Sequence, residues 1–337
     1  MNLFQSMFIR VVCFVLFVLF MISNSEARIS DSIKKSFDVK RGGTLGMNCD
    51  LGRIEVRGTG EERVDIEVRR DIRAGSEEEE QEILSNLEIE FDQNGNDVFI
   101  RSRFHEGRRG LWGWDGWRNR YLRLEFIITV PMNYNVDLRT GDEDIVVSGL
   151  QGECRCKTSD GNLVLNDISG MVYAKTSDGD IEVDRCKKSI DVQTSDGDID
   201  VGVVDGDVIA KTSDGEISIK QAQGSVSAST SDGDIEIREF SKKIHAKTSD
   251  GSITAYIKNQ VDSDCSLSAS DGEIKVYLAD NIKLTVNAKT SDGHVKSDLP
   301  LTIIGETKDD RLQAKLNGGG PELYLRTSDE RIYLSRL

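Results

Sequence analysis

A period of 18 residues constrains this chain more than any other feature. With the Thr of Thr-Ser-Asp-Gly taken as phase zero, motifs start at Thr140, Thr158, Thr176, Thr194, Thr212, Thr230 and Thr248, six successive steps of 18. Ala269 and Thr290 follow at steps of 21, a worn copy starts at Thr307, and Thr327 opens the last clear one. Every start has Asp two residues on, from Asp142 to Asp329. Phase 5 is apolar in each unit (Ile145, Leu163, Ile181, Ile199, Ile217), phase 7 mostly so, and phases 14 and 16 give pairs such as Val208/Ala210. Polar residues lie between, and such alternation marks two short strands per unit with one inward face each. Ser-Asp-Gly at phases 1 to 3 forms one turn, where Gly is expected to supply positive φ. Gly152, Gly170, Gly206 and Gly224 mark the other turn. A unit of this size cannot bury its own apolar face, but stacked units can. The period therefore predicts an all-β chain, a single elongated β-solenoid (β-helix) of about 18-residue coils. At about 4.8 Å per coil the array would be roughly 50 Å long, and the crossover rule favours a right-handed winding.

Three segments are expected. Residues 1–27 read as a signal peptide: Arg10 precedes the apolar run Val11 to Ile22, and Ser25-x-Ala27 is a small-x-small cleavage site. The run is shorter than the roughly 20 residues of a membrane span; an uncleaved anchor is the rival reading. Residues 28–135 form an irregular β-rich N-terminal cap with a short helix. Here Leu45, Met47, Gly52, Ile54 and Val56 take the phases of a worn coil, Ser76 and Glu79 make a capping box, and Asn94-Gly95 signals a hairpin. Residues 136–337 are the Thr-Ser-Asp-Gly solenoid, closed by Leu323 to Leu337.

The 31 Gly against 3 Pro suit a chain of many tight reversals. A net charge of −16 argues against nucleic acid or anionic lipid as the main partner, since both need a basic footprint. After Ala27 five cysteines remain, and an odd number cannot all pair. Cys154 and Cys265 fall at phase 14, Cys156 at phase 16 and Cys186 at phase 10. These are inward positions, where Cys serves as a small hydrophobe.

Several segments resemble one family. Gly-Gly-Thr-Leu (42–45), Gly-Arg-Ile-Glu-Val (52–56), Ile-Thr-Val-Pro (128–131), the Thr-Ser-Asp-Gly-Asp-Ile-Glu-Val repeats and Asn-Gly-Gly-Gly-Pro-Glu-Leu-Tyr-Leu-Arg-Thr (317–327) are similar to the DUF4097 family of bacterial candidate adhesins. The resemblance spans nearly all of the chain after residue 27. It implies a β-solenoid exported to the cell envelope and supplies no catalytic residues.

Two features could carry chemistry. Asp at phase 2 and an acid at phase 4 place Asp178, Asp180, Asp196, Asp198, Asp232 and Asp234 in ladders along one edge. Like charges about 4.8 Å apart repel by about 1 kcal/mol even in water, and Ca²⁺ would relieve that. Against a Ca²⁺ cofactor stands a basic column at phase 17 (Lys157, Lys175, Lys211, Lys247) able to neutralise the turns. The second feature is residues 108–121, which hold Trp112, Trp114 and Trp117 with Arg118 and Arg120. Trp and Arg are enriched at interface hot spots, so these five are candidate partner contacts; a loop burying its own rings is the alternative.

His105, His245 and His294 share no site, and no nucleophile or phosphate-loop motif occurs. The acids repeat identically, whereas a glycosidase pair needs two different environments. The expected function is therefore non-enzymatic: an exported cell-envelope β-solenoid, an adhesin or surface-display scaffold that binds a surface ligand or envelope polymer. A periplasmic structural or envelope-stress component is the alternative, and a polysaccharide-active enzyme a third.

Overall fold

The computed structural model describes residues 28–105, 121–305 and 308–337. The expected signal segment, the cluster from Trp112 to Arg120 and Thr307 lie outside them. Each repeat gives one strand to each of two facing sheets. Ile181–Cys186 lies in the first sheet and Ile190–Gln193 in the second. Neighbouring coils pair in parallel with no slip, so phase meets phase: Ile181, Ile199, Ile217 and Ile235 form one ladder. Val172, Ile190, Val208 and Val226 form the facing one. Among the described residues, twelve strands of each sheet run parallel.

The core is the slot between the sheets, filled from phases 5, 7, 10, 14 and 16. Ile199, Val201, Val204, Val208 and Ala210 of one coil are all buried. Full burial of an Ile or Val contributes about 1.5–3 kcal/mol, and coil-to-coil contact is what realises it. At phase 10 the small Ala222 bridges to the large Phe240, an exchange of volume between successive coils that keeps the slot filled.

Order along the stack departs from order along the chain at both ends. Thr44–Cys49 and Arg53–Thr59 make a complete coil, as their phases suggest. That coil sits between Asp97–Phe104 with Tyr121–Pro131 on one side and Asn135–Arg139 with Ile145–Ser148 on the other. Beyond it the first sheet continues with Arg63–Arg73 and then Arg28–Asp38, both antiparallel. Among the described residues the second sheet adds only Leu87–Asn94, antiparallel through a two-residue loop opened by Gly95 at φ 61°. A helix, Glu77–Asn86, follows the expected cap: the Ser76 hydroxyl accepts from the Glu79 N–H at 3.3 Å, while the Glu79 carboxylate accepts from the Gly75 N–H at 3.0 Å. Its Ile83 packs on Ile72 and Ala74.

At the other end, the coil formed by Glu322–Arg326 and Ile332–Arg336 is the last in sequence but not the last in space. It lies between Cys265–Ser268 with Ile274–Leu278 and Leu284–Lys289 with Val295–Ser297. The worn copy starting at Thr307 is not a parallel coil. Its turn does stack, with Thr290 N–H on Asp310 O and Val295 N–H on Asp309 O, at 3.0 and 2.8 Å. Arg311–Leu316 then doubles back antiparallel to Leu284–Lys289 and, with Leu301–Ile303, covers the end of the second sheet. Among the described residues no helix is long and apolar enough to cross a membrane.

Candidate binding face

The Thr-Ser-Asp-Gly corner is where the chain passes from the second sheet to the first, and its polar atoms bond coil to coil. Buried Thr176 donates its hydroxyl to Ser159 O at 3.0 Å and Gly161 O at 2.9 Å. Thr194, Thr212, Thr230 and Thr248 repeat the pair of bonds one coil further each time. Thr327 and then Thr290 continue the column in spatial rather than chain order. Ala269 interrupts it, and Cys49 stands at the Thr place in the N-terminal coil.

The glycines of this corner are not at positive φ, contrary to expectation. Close backbone approach demands them instead. A Cβ on Gly179 would stand 2.0 Å from Gly161 O, and one on Gly197 2.1 Å from Gly179 O. The exception is Gly52, at the same place in the N-terminal coil, with φ 124°; Gly149, at φ 71°, lies outside the corner.

The phase 4 acids are occupied as well. Asp180 Oδ1 accepts from the Asp198 N–H at 2.9 Å, Asp198 Oδ1 from the Glu216 N–H at 2.8 Å, and Asp234 Oδ1 from the Ser252 N–H at 2.7 Å. Each carboxylate caps a backbone donor at the corner, as a side chain caps a helix end. Asp178, Asp196 and Asp232 at phase 2 are exposed. Among the described residues no group of three His, Cys, Asp or Glu side chains is placed to hold a metal ion. Nor does an ion pair link the phase 17 lysines to the turn acids among those residues. Backbone capping, not the basic column, accounts for the phase 4 acids.

Cys49, Cys154, Cys156, Cys186 and Cys265 are free thiols in the core. Cys154 and Cys156 share a strand face with sulfurs 3.6 Å apart. Burial pushes Cys49 and Cys265 up to about 11.

What differs from coil to coil is the outward face. On the first sheet the middle coils carry Glu182, Asp184 and Asp200, all exposed. Toward the C-terminal end the character changes. Tyr256 and Tyr277, directly paired across adjacent strands, stack with ring centres 4.9 Å apart and planes at 15°. Tyr333 lies opposite Lys275 on one side and Lys296 on the other, and Arg331 Nη1 donates to its hydroxyl at 3.3 Å. Lys275 holds Glu273 at 2.5 Å. Burial, with Glu236 and Tyr277 nearby, raises the Tyr256 phenol. This is a flat aromatic surface edged by cations, suited to ring faces and hydroxyl or acidic groups of a ligand laid along the sheet. The second sheet offers a smaller version, Arg155 over the Tyr173 ring at 4.3 Å.

The sequence reading did not single out these tyrosines. Tyr256 and Tyr277 share outward phase 8, so a search of outward phases for repeated aromatics would find them. Tyr333 meets its lysines only through the intercalated coil, which periodicity does not reveal. The candidates Trp112, Trp114, Trp117, Arg118 and Arg120 lie outside the described residues.

The family model described as Toastrack DUF4097 matches residues 52–239 and 224–334. No curated protein matches in sequence. Among solved structures, a candidate adhesin from Bacteroides fragilis is 12% identical with a TM-score of 0.35, covering 91% of this chain and 97% of that one. A candidate lipid binding protein from Parabacteroides distasonis is 15% identical with a TM-score of 0.43, covering 73% and 96%.

Proposed function

The chain belongs to the Toastrack DUF4097 family, and from that membership together with its outward rows we propose that it is an exported, non-enzymatic scaffold of the cell envelope that acts by binding. The observation that carries this reading is the division of labour between corner and face. Turn hydroxyls, glycines and carboxylates are taken up in stacking, which accounts for their repetition without any chemistry. The outward rows are under no such demand, and they change along the rod to end in a tyrosine and lysine surface. A ligand of the polysaccharide type, with ring faces and repeated hydroxyls, matches that surface, and adhesion to such a polymer is the proposed use.

Protease shaving of intact cells carrying a C-terminally tagged copy tests the exposure that adhesion needs. Loss of the tag from intact cells supports it; protection until the envelope is opened favours an internal structural role. The surface itself is tested by Tyr256→Ala, Tyr277→Ala and Tyr333→Ala combined. Retention of purified envelope polysaccharide should fall at least tenfold with an unchanged circular dichroism spectrum. Unchanged retention would move the contact elsewhere.

A further inference from the structure

On the outward face of the second sheet, Ser225, Ser227 and Ser229 set three small side chains in a row. The strands on either side carry longer ones. Ile209 and Lys211 of Val208–Lys211 stand opposite Ser227 and Ser229, and His245 and Lys247 of Ile244–Lys247 stand opposite the same serines on the other side. Asp207 and Lys243 extend the two outer rows by one place. With neighbouring strands about 4.8 Å apart, the serines floor an open groove whose walls stand about 10 Å apart.

The polar groups of this groove, unlike those of the Thr-Ser-Asp-Gly corner, are not taken up in stacking. Lys211, Lys243, His245 and Lys247 are exposed, and none is ion-paired among the described residues. The hydroxyls of Ser225, Ser227 and Ser229 are half-buried and have no hydrogen-bond partner among those residues. The acid of the groove is occupied: Asp207 Oδ1 accepts from the Ser225 N–H at 2.7 Å. So is Asp264 in the coil beyond, which accepts from the Glu322 N–H at 2.7 Å. The lining therefore offers cations and hydroxyl donors for oxyanions, with one apolar side chain, Ile209, 37% exposed. Acids such as Glu182 and Asp200 face outward from the opposite sheet. The core between the sheets is about 10 Å thick, which puts those acids beyond the screening length of physiological salt. A net charge of −16 thus leaves a local basic footprint here.

Spacing narrows the ligand. Every second residue of a strand faces the groove, so its places repeat at about 6.6–6.8 Å. A chain with six single bonds per repeat matches that, since three backbone bonds reach about 3.3–3.6 Å. A phosphodiester joined through a three-carbon polyol has such a repeat, two P–O, two C–O and two C–C bonds, and carries one negative charge in each. A polynucleotide has the same number of bonds, but its bases need aromatic faces to stack on. The groove lining contains none.

We propose that this groove binds a linear polyol phosphate, laid along the serine row so that successive phosphates meet successive places. One phosphate lies over Ser229 between Lys211 and Lys247, the next over Ser227 beside His245, and a third over Ser225 beside Lys243. Ile209 packs against the carbons between them. The groove is on the opposite sheet from the tyrosine surface and is independent of the binding proposed there.

Calorimetric titration of the full-length chain with synthetic poly(glycerol phosphate) tests the assignment. For three phosphates, log affinity should fall against log salt with a slope of about −2, at about 0.7 per phosphate. Lys211→Gln with Lys247→Gln should weaken binding at least tenfold. Ser227→Tyr raises the floor without changing any charge and should weaken it as much, with an unchanged circular dichroism spectrum. Lys188→Gln with Lys220→Gln removes the same charge elsewhere and should leave binding as it was. The proposal is overturned if the polymer does not bind, or if Ser227→Tyr binds it as well as the unaltered chain. An equal loss from the Lys188 and Lys220 pair reduces the effect to overall charge and overturns it too. Tighter binding of a polyuronate or of single-stranded DNA would reassign the groove, and free glycerol phosphate binding as tightly as the polymer would reduce it to an adventitious anion site.

Discussion

Thr194 is buried, yet its hydroxyl reaches two carbonyl oxygens of the coil before it, Ser177 O at 3.1 Å and Gly179 O at 2.9 Å. Thr194→Val keeps the shape and removes the donor, and should cost about 1–3 kcal/mol in urea melts, the penalty of leaving a buried acceptor unmet. Ala269 tests the converse. Thr248 and Thr327 occupy the same place in the coils on either side, so Ala269→Thr should fit and stabilise by about 1 kcal/mol. Gly197→Ala, with its Cβ aimed at Gly179 O, should destabilise by about 3 kcal/mol, because coil spacing must open to admit it. The thiols set a pH limit. Cys49 and Cys265 are neutral when protonated, and burial lifts their folded pKa to about 11 from an ordinary value near 9. The unfolded chain thus releases these protons first. Stability is complete below pH 9 and falls as pH rises toward 11, a loss that Cys49→Ala with Cys265→Ala should reduce in a pH series of melting curves. The sequence displayed the Thr and Gly columns but not their work, since a motif shows what recurs and not which atom of a neighbouring coil it meets.

Among the elements, the repeat strands were legible because one face is buried and the period of two is strict, as in Ile199, Val201 and Val204. The coil Thr44–Cys49 with Arg53–Thr59 was legible too, through Leu45, Met47, Ile54 and Val56. Its position was not. Phase tells a strand which way to face, whereas its neighbours are chosen by pairing across long separations, here with residues 97–104 and 121–131. The same gap explains why residues 308–312 do not continue as a parallel coil. Their turn retains enough of the motif to stack on the Thr290 coil, but Leu312, Ala314 and Leu316 alternate equally well for a strand running either way. Hydrogen exchange should separate these elements. The middle coils, such as Ile199–Val204, should be the most protected, and Arg28–Asp38 and Leu301–Ile303, each paired on one side among the described residues, the least.

For the whole molecule, intercalation at the C-terminal end makes the last residues structural to an earlier segment. Removal of residues 320–337 takes out the coil between Ile274–Leu278 and Val295–Ser297, so residues 280–316 should lose exchange protection along with the deleted strands. In a stack ordered as the chain is ordered, the same cut would cost only its own coil. Proteolysis of the truncated chain should give a protected fragment that ends near residue 279. A different consequence follows from having both closures built this way. Each end is an assembly of distant segments, while the 18-residue coils between them, from Thr140 to Thr248, are joined by one repeated pattern. Coils are therefore interchangeable currency in evolution: recombination between two repeats adds or drops a whole unit and leaves both closures untouched. The length of the rod is set by copy number, in increments of about 4.8 Å, so that homologous rods of different length should differ by integers.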